Sequence, residues 1–367
     1  MVDEDRLDDA ERLVAVDVSG LLRSAASAGA QVRSVAAAAA EAGLDRLTGE
    51  RPRALVLITR PGAAAAAAPL LAALLGPGCP LPVVATESVP SWLGALDVVL
   101  AHTTDPGDRE LATGVDRAVR RGAHVVLTAP GDGPVAAAAA GRSVLLTPRI
   151  DVPPALVLPR ALAAGLLLCD ALGLLRVDLE ALAGELDREA ERAHPTQESF
   201  VNPAKSLALR MAGRTPLLWG TDPVATAVAT HAAGALAAHT GVVAHAAGWR
   251  EAAALPALRT AAARSSAEGD VFRDPFLDAP GPAEVRAMLL GVLLDPAAVD
   301  GRRAATEALP GADVVSADEE LVVRPEDPAA ASCAAAVLAL RLDFAALYLG
   351  LGSGALGGGG RVGHTAG

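Results

Sequence analysis

Apolar positions in this chain come in short runs, set apart by turns rich in proline and glycine and by stretches of small residues. Arg53–Thr59, Pro82–Thr86, Leu96–His102, His124–Thr128 and Ser143–Thr147 each read as a strand. They are too short for helices, and a continuous apolar run suits a parallel strand covered on both faces. Between them, Ala63–Leu75 reads as a helix closed by Gly76-Pro77-Gly78. Asp108–Arg121 reads as another, with Leu111, Val115 and Val119 on one face and Gly122 as its stop. A first helix is expected after the N-cap Asp17, through Leu21, Leu22, Ala25 and Val32 toward Ala40, and Pro154–Leu175 reads as a buried helix.

The polar stretch Asp178–His194 predicts a charged helix with a solvated face, marking a domain boundary near Pro195. Beyond it the pattern restarts. Thr215–Gly220 reads as a strand, Thr221-Asp222-Pro223 as a turn and N-cap, Val224–Ala238 as an alanine-rich helix, and Gly241–His245 as the next strand. Ala283–Asp295 carries a further apolar run, Ala312–Ser316 another strand, and Ala329–Leu349 a long final helix. The repeated strand–turn–helix–strand order implies an α/β fold of two doubly wound parallel sheets, one per half.

Composition narrows the class. The chain has 367 residues, a net charge of −12 and only 2% aromatic residues. Phosphate tracking and base stacking both lack their residues, so nucleic-acid binding is not expected. The start, Met1–Asp9, is acidic where a secretion signal needs a basic segment, and Ala161–Leu175 is too short to span a bilayer. Cys79, Cys169 and Cys333 lie far apart and read as reduced, mostly buried thiols, so a cytoplasmic location is expected. Of the 85 alanines many reflect codon bias; Lys205 is the only lysine. Trp92, Trp219 and Trp249 read as packing anchors. His231, His239 and His245 are too widely spaced to share a metal on one helical turn, and neither metal nor cofactor is expected.

The stretches Pro82–Trp92, Asp97–Leu111 and Arg121–Thr128 resemble a sugar isomerase (SIS) domain. Asn202–Ala208 with Pro216–Gly220, and the late Leu347–Leu351, resemble the second SIS domain of bifunctional phosphoglucose/phosphomannose isomerases, in a degenerate actinobacterial-type branch. The resemblance covers nearly all of residues 17–350 and lies in the order and spacing of elements. It implies two flavodoxin-like SIS domains of about five strands each. Their bounds are an N-terminal segment 1–16, a first domain 17–178, a charged helical linker 179–196, a second domain 197–350 and a flexible glycine-rich tail 351–367. It further implies a homodimer, with the Ala329–Leu349 helix offering an apolar face, and a phosphorylated hexose as ligand.

In such a site, hydroxyls and backbone N–H groups at strand ends grip the phosphate. The family's first loop falls on Thr59–Ala63, leaving Thr59, Arg60 and Gly62 as contacts. The second falls on His102–Gly107 and keeps Thr104, and the third keeps Thr128. Asp105 and Asp132 put negative charge where the phosphate would sit; Arg149 and Arg160 are the other cations nearby. Isomerisation needs a base to move a proton between C1 and C2. The family's glutamate falls at Ala238, its helix arginine at His231, and the histidine-bearing loop near Trp249–Pro256 has no histidine. Glu251, in that loop, and His231 are the catalytic candidates left. The resemblance therefore implies a sugar-phosphate binder with degraded catalysis. The alternatives are an active isomerase with relocated residues and a scaffold that binds nothing.

Overall fold

The computed structural model describes residues 2, 4–141, 143–265, 284–317 and 320–356. The chain opens with short helices α1 (Glu4–Asp8), α2 (Ala10–Val16) and α3 (Leu21–Ala26), then α4 (Ala28–Glu41). The single helix expected after Asp17 is thus broken at Ser27; the Asp17 carboxylate does cap its start, accepting from the backbone N–H groups of Leu21 and Leu22. Strand β1 (Ala54–Ile58) is followed by a 3-10 turn at Ala63–Ala66, α5 (Ala67–Leu75) and β2 (Val83–Thr86). Then come β3 (Asp97–His102), α6 (Arg109–Arg120), β4 (His124–Thr128), α7 (Gly133–Ala139), β5 (Val144–Leu146) and α8 (Leu158–Ala171). All five strands pair in parallel in the order β2-β1-β3-β4-β5.

The charged helix α9 (Leu179–Arg192) and α10 (Pro203–Met211) lead to β6 (Thr215–Gly220), α11 (Pro223–Thr240) and β7 (His245–Gly248). Helices α12 (Trp249–Ala253) and α13 (Pro256–Ser265), β8 (Val285–Leu290), α14 (Pro296–Ala308), β9 (Asp313–Val315) and α15 (Ala330–Ser353) complete the chain. The second sheet is also parallel, in the order β7-β6-β8-β9. It has four strands among the described residues, where about five were expected from the domain type. β7 starts where its predicted strand ended. Gly241 takes a left-handed conformation as the α11 C-cap, and Val243 is exposed, so the apolar pair 242–243 makes a connector.

Period-two alternation explains the layers. In β1, β3 and β4 the residues Leu55, Leu57, Val98 and Val126 face a large core shared by α4, α8, α11 and α15. Val56, Val99, Val125 and Leu127 face the opposite way, onto α6 and α7. The outer face of the second sheet packs in the same manner under α12–α14.

Four expectations change here. Helix α15 is long and apolar enough to cross a bilayer, but it is wholly buried inside the protomer. Its apolar surface is spent on α10, α11 and α9 and offers no face to a second copy. It also runs on to Ser353, so the expected tail begins later, and residues 357–367 lie outside the described residues. The charge run of α9 is only partly a solvated face: Glu180 and Glu191 are exposed, but Glu185 and Glu189 are fully buried. Glu189 takes both arms of the Arg341 guanidinium at 2.7 and 2.9 Å, and Glu185 accepts the backbone N–H groups of Val322 and Val323. A hydropathy pattern cannot show partners that arrive from residues more than a hundred positions away. Finally, Trp219 is a buried anchor, but Trp92 is half-exposed beneath Arg53. Cys169 and Cys333 are buried thiols pushed up to about 12 by burial, and Cys79 is half-buried.

Candidate functional site

In open α/β sheets ligands bind beyond the carboxyl ends of the strands, preferentially where the strand order reverses. In the first sheet that reversal lies between β1 and β3. Four of the expected contacts sit along it: Thr59, Arg60 and Gly62 after β1, and Thr128 at the end of neighbouring β4. The crevice there is closed. Thr59 donates its backbone N–H to the Thr86 carbonyl, extending the sheet ladder. Arg60 is clamped bidentate on Asp108 at 2.7 and 3.1 Å, with Glu110 and the Glu87 carbonyl each 3.1 Å away. Its charge is already neutralised within the loop. Gly62, exposed at φ +116°, has open space around it. What remains is a cavity of ≈ 20 Å³ walled by Ala64, Ala67, Ala68 and Gly165, with His102 and Thr128 at its polar end. That is room for one water. Neither ring nitrogen of His102 nor the Thr128 hydroxyl has a protein partner. Burial, with the Arg160 charge adding, lowers the His102 pKa to about 3, so the imidazole is neutral.

The open cavity lies one strand over, at the ends of β3, β4 and β5. It measures ≈ 390 Å³, and Thr103, Thr104, Thr147, Arg149, Asp151 and Arg160 are among the residues that line it. Arg160 comes from the first turn of α8, where Pro159 fits because that turn's N–H groups have no helical partner. Its side chain is buried at 6% exposure; one Nη donates to the Ile150 carbonyl at 3.2 Å, and Nε has no partner. Burial pushes the Arg160 pKa down and the Asp151 charge pushes it back up. Arg149, more exposed, is paired with Glu41. The two aspartates that threatened an anion do not line this cavity. Asp105 turns its carboxylate back to accept the Gly107 N–H at 2.8 Å, and Asp132 is exposed at the N-cap of α7.

The second sheet ends differently. Gly220, the last residue of β6, is the close approach that sets the geometry: a Cβ there would lie 2.2 Å from the backbone nitrogen of Thr226 in the first turn of α11. The loop between them holds Thr221, whose hydroxyl donates to the Leu290 carbonyl, and Asp222, whose carboxylate is buried. Beyond β8 lies a cavity of ≈ 500 Å³ with an apolar floor that includes Val292, Leu293, Leu321 and Ala334. Its charged lining residues are Asp295, Glu326 and Asp327.

The catalytic candidates do not meet. His231 lies in the packing between α11 and α15, its Nε2 2.8 Å from Asp343 Oδ1, both side chains almost fully buried. His239, on the same helix, is buried and its pKa is lowered by that burial, against the pull of Asp343. Glu251 is exposed on α12. No group of three or more potential metal ligands occurs among the described residues.

A candidate phosphosugar isomerase from Silicibacter pomeroyi DSS-3 superposes with a TM-score of 0.60 at 17% identity, over 91% of this chain and 98% of that one. The fold is the double-SIS fold. The C-terminal domain of glucosamine-fructose-6-phosphate aminotransferase from Francisella tularensis gives 0.59 at 9% identity over 94% and 96%. Tagatose-6-phosphate ketose/aldose isomerase from Escherichia coli gives 0.58 at 10% identity over 91% and 92%. No protein-family model and no curated protein matches the sequence.

Two residues at these crevices carry only a weak signal in the sequence. Arg160 stood out only as a nearby cation, although an arginine following a proline at a helix start near a strand end is a readable signal. Asp222 was legible as an N-cap and nothing more.

Proposed function

We propose that this chain binds a phosphorylated sugar in the cavity at the ends of β3–β5 and has little or no isomerase activity. The observation that carries the reading is Arg160, a buried guanidinium with its Nε unspent, in a cavity that also offers the Thr104 and Thr147 hydroxyls. A buried cation without a full set of partners is costly, and an anionic oxygen would complete it. The volume suits a small polar ligand. The double-SIS neighbours named for phosphosugars support the ligand class. Loss of catalysis rests on Ala238, which cannot take a proton, and on His231, whose imidazole is engaged with Asp343. By analogy with the family the working unit is a homodimer, which sedimentation at micromolar concentration checks.

The test is thermal. Glucose-6-phosphate, fructose-6-phosphate or mannose-6-phosphate should raise the melting temperature with saturable dependence, and Arg160→Gln should remove the shift. A folded protein indifferent to all three at millimolar concentration overturns the reading. A coupled assay that converts fructose-6-phosphate to either aldose overturns the loss of catalysis.

A further inference from the structure

Asp222 does more than cap a helix. Its Oδ1 accepts the Ala225 N–H at 2.8 Å, which is the ordinary N-cap bond. Its Oδ2 accepts two further backbone N–H groups, Val292 at 2.8 Å and Leu293 at 3.1 Å, from the loop beyond β8. Capping does not require those two bonds. Asp178, which caps α9, makes its bond to Ala181 alone. The carboxylate is 6% exposed and takes three N–H groups from two separate elements, at the N-terminus of an 18-residue helix and the carboxyl end of a parallel sheet. Converging N–H groups in that position are what an anion binds. Here the anion belongs to the chain. The matching loop of the first sheet, Thr59–Gly62 after β1, has no carboxylate of its own, and Asp108 and Glu110 enter it to pair with Arg60.

We propose that Asp222 is a specificity-determining residue that withholds the second sheet's anion donors from any ligand. Each protomer then takes one anionic ligand, in the first sheet's cavity, and not two. The count of one rests on the function proposed above; the withheld donors do not. The adjoining ≈ 500 Å³ cavity, which Val292 and Leu293 line and Asp295, Glu326 and Asp327 charge, repels a second anion further.

The experiment separates the two claims with inorganic phosphate as probe. Arg160→Gln supplies a background without the first site. In that background Asp222→Ser keeps a hydroxyl to cap Ala225 and frees the Val292 and Leu293 donors. Phosphate should then raise the melting temperature by several degrees, while Arg160→Gln alone stays unmoved. Should the serine variant fail to fold without phosphate, recovery of a folding transition on adding it is the same result. Asp222→Gly, which an N-cap tolerates, is the second variant. The proposal is overturned if neither variant responds to phosphate, or if calorimetry finds wild type already binding two phosphates per protomer. Absence of fructose-6-phosphate binding to wild type, with a phosphate gain in Asp222→Ser, sinks the first-site reading and leaves this one standing.

Discussion

The carboxyl ends of the two sheets share a topology and differ in the charge they present, mixed at the first and acidic at the second. At β3–β5 the open cavity has the buried Arg160 guanidinium, several threonines, an Arg149 already paired with Glu41, and one carboxylate, Asp151. At β6 and β8 the backbone donors are occupied by the Asp222 carboxylate, and the neighbouring cavity carries three more acidic side chains. A doubly wound sheet delivers N–H groups and helix N-termini to the same edge each time it is built. Side-chain charge then decides whether that edge is a receptor or is already filled. The fold therefore persists in both halves while the chemistry has parted, which is why fold likeness alone does not identify a site.

The largest expected effect tests how far the second half is held by its own charges. Glu189, buried under Arg341, ties α9 to α15, and Arg341 in turn reaches the Ser316 carbonyl and Glu320. Removing Glu189 leaves the buried Arg341 with only Glu320 and the Ser316 carbonyl, so Glu189→Ala should cost at most about 3–5 kcal/mol in urea unfolding. If the two ends are independent, sugar-phosphate affinity of the folded fraction stays near wild type. A parallel loss of affinity would show that the comparison divides one site rather than two.

Arg160→Gln comes next. A hydrogen bond to a charged group is worth about 1.5–3 kcal/mol, so ligand affinity should fall about 10–100-fold, read by calorimetry. The paired control, Glu326→Gln in the second cavity, should leave affinity unchanged. An equal loss in both would mean that the two cavities do not differ in their hold on the ligand.

Much of this architecture was legible in the sequence, because continuous apolar runs and Gly/Pro stops are local signals. β1, β3 and β4 fall within their predicted spans, and Asp108 caps α6 through the Leu111 N–H. The site was harder to read. Arg60 carries the right charge at the right strand end, and only three-dimensional structure shows Asp108 and Glu110 claiming it. Arg160 looks like part of an apolar helix until β5 and the 147–152 loop close over it. Glu185 and Glu189 look solvated until Val322, Val323 and Arg341 arrive. The failures share a physical cause: a charge is defined by its partner, and hydropathy does not show partners that the fold brings in, from Ile150 ten residues before Arg160 to Arg341 far beyond Glu189.

A third prediction uses acid to compare the closed crevice with the open one. His102 is neutral in the folded chain down to about pH 3, whereas an unfolded histidine takes a proton near pH 6.5. Between those values the unfolded chain binds more protons, so stability rises with pH and is lost as pH falls from about 6.5 toward 3. At pH 5 the loss assignable to this group is about 2 kcal/mol relative to neutral pH. His102→Leu should show a shallower acid dependence than wild type in chemical unfolding followed at several pH values. Identical slopes would mean that the imidazole reaches solvent, and that the crevice between β1 and β3 is open after all.

The smallest effect is the most discriminating, because it sets two threonines of similar sequence context against each other. Thr104 lines the open cavity, and Thr128, 1% exposed, lines the water-sized one with no partner for its hydroxyl. Valine matches the shape of threonine and lacks the hydroxyl. At Thr104 it should remove one neutral hydrogen bond to ligand, about 0.5–1.5 kcal/mol, or roughly a 2–10-fold loss of affinity. At Thr128 the hydroxyl has no protein partner to lose, so Thr128→Val should leave affinity intact and hold or slightly raise the melting temperature. A reversed result, with affinity lost at Thr128 and kept at Thr104, would move the ligand to the crevice between β1 and β3. Arg60 would then have to release Asp108 for the ligand to enter, and the contrast between the two sheets would become one of gating rather than of charge.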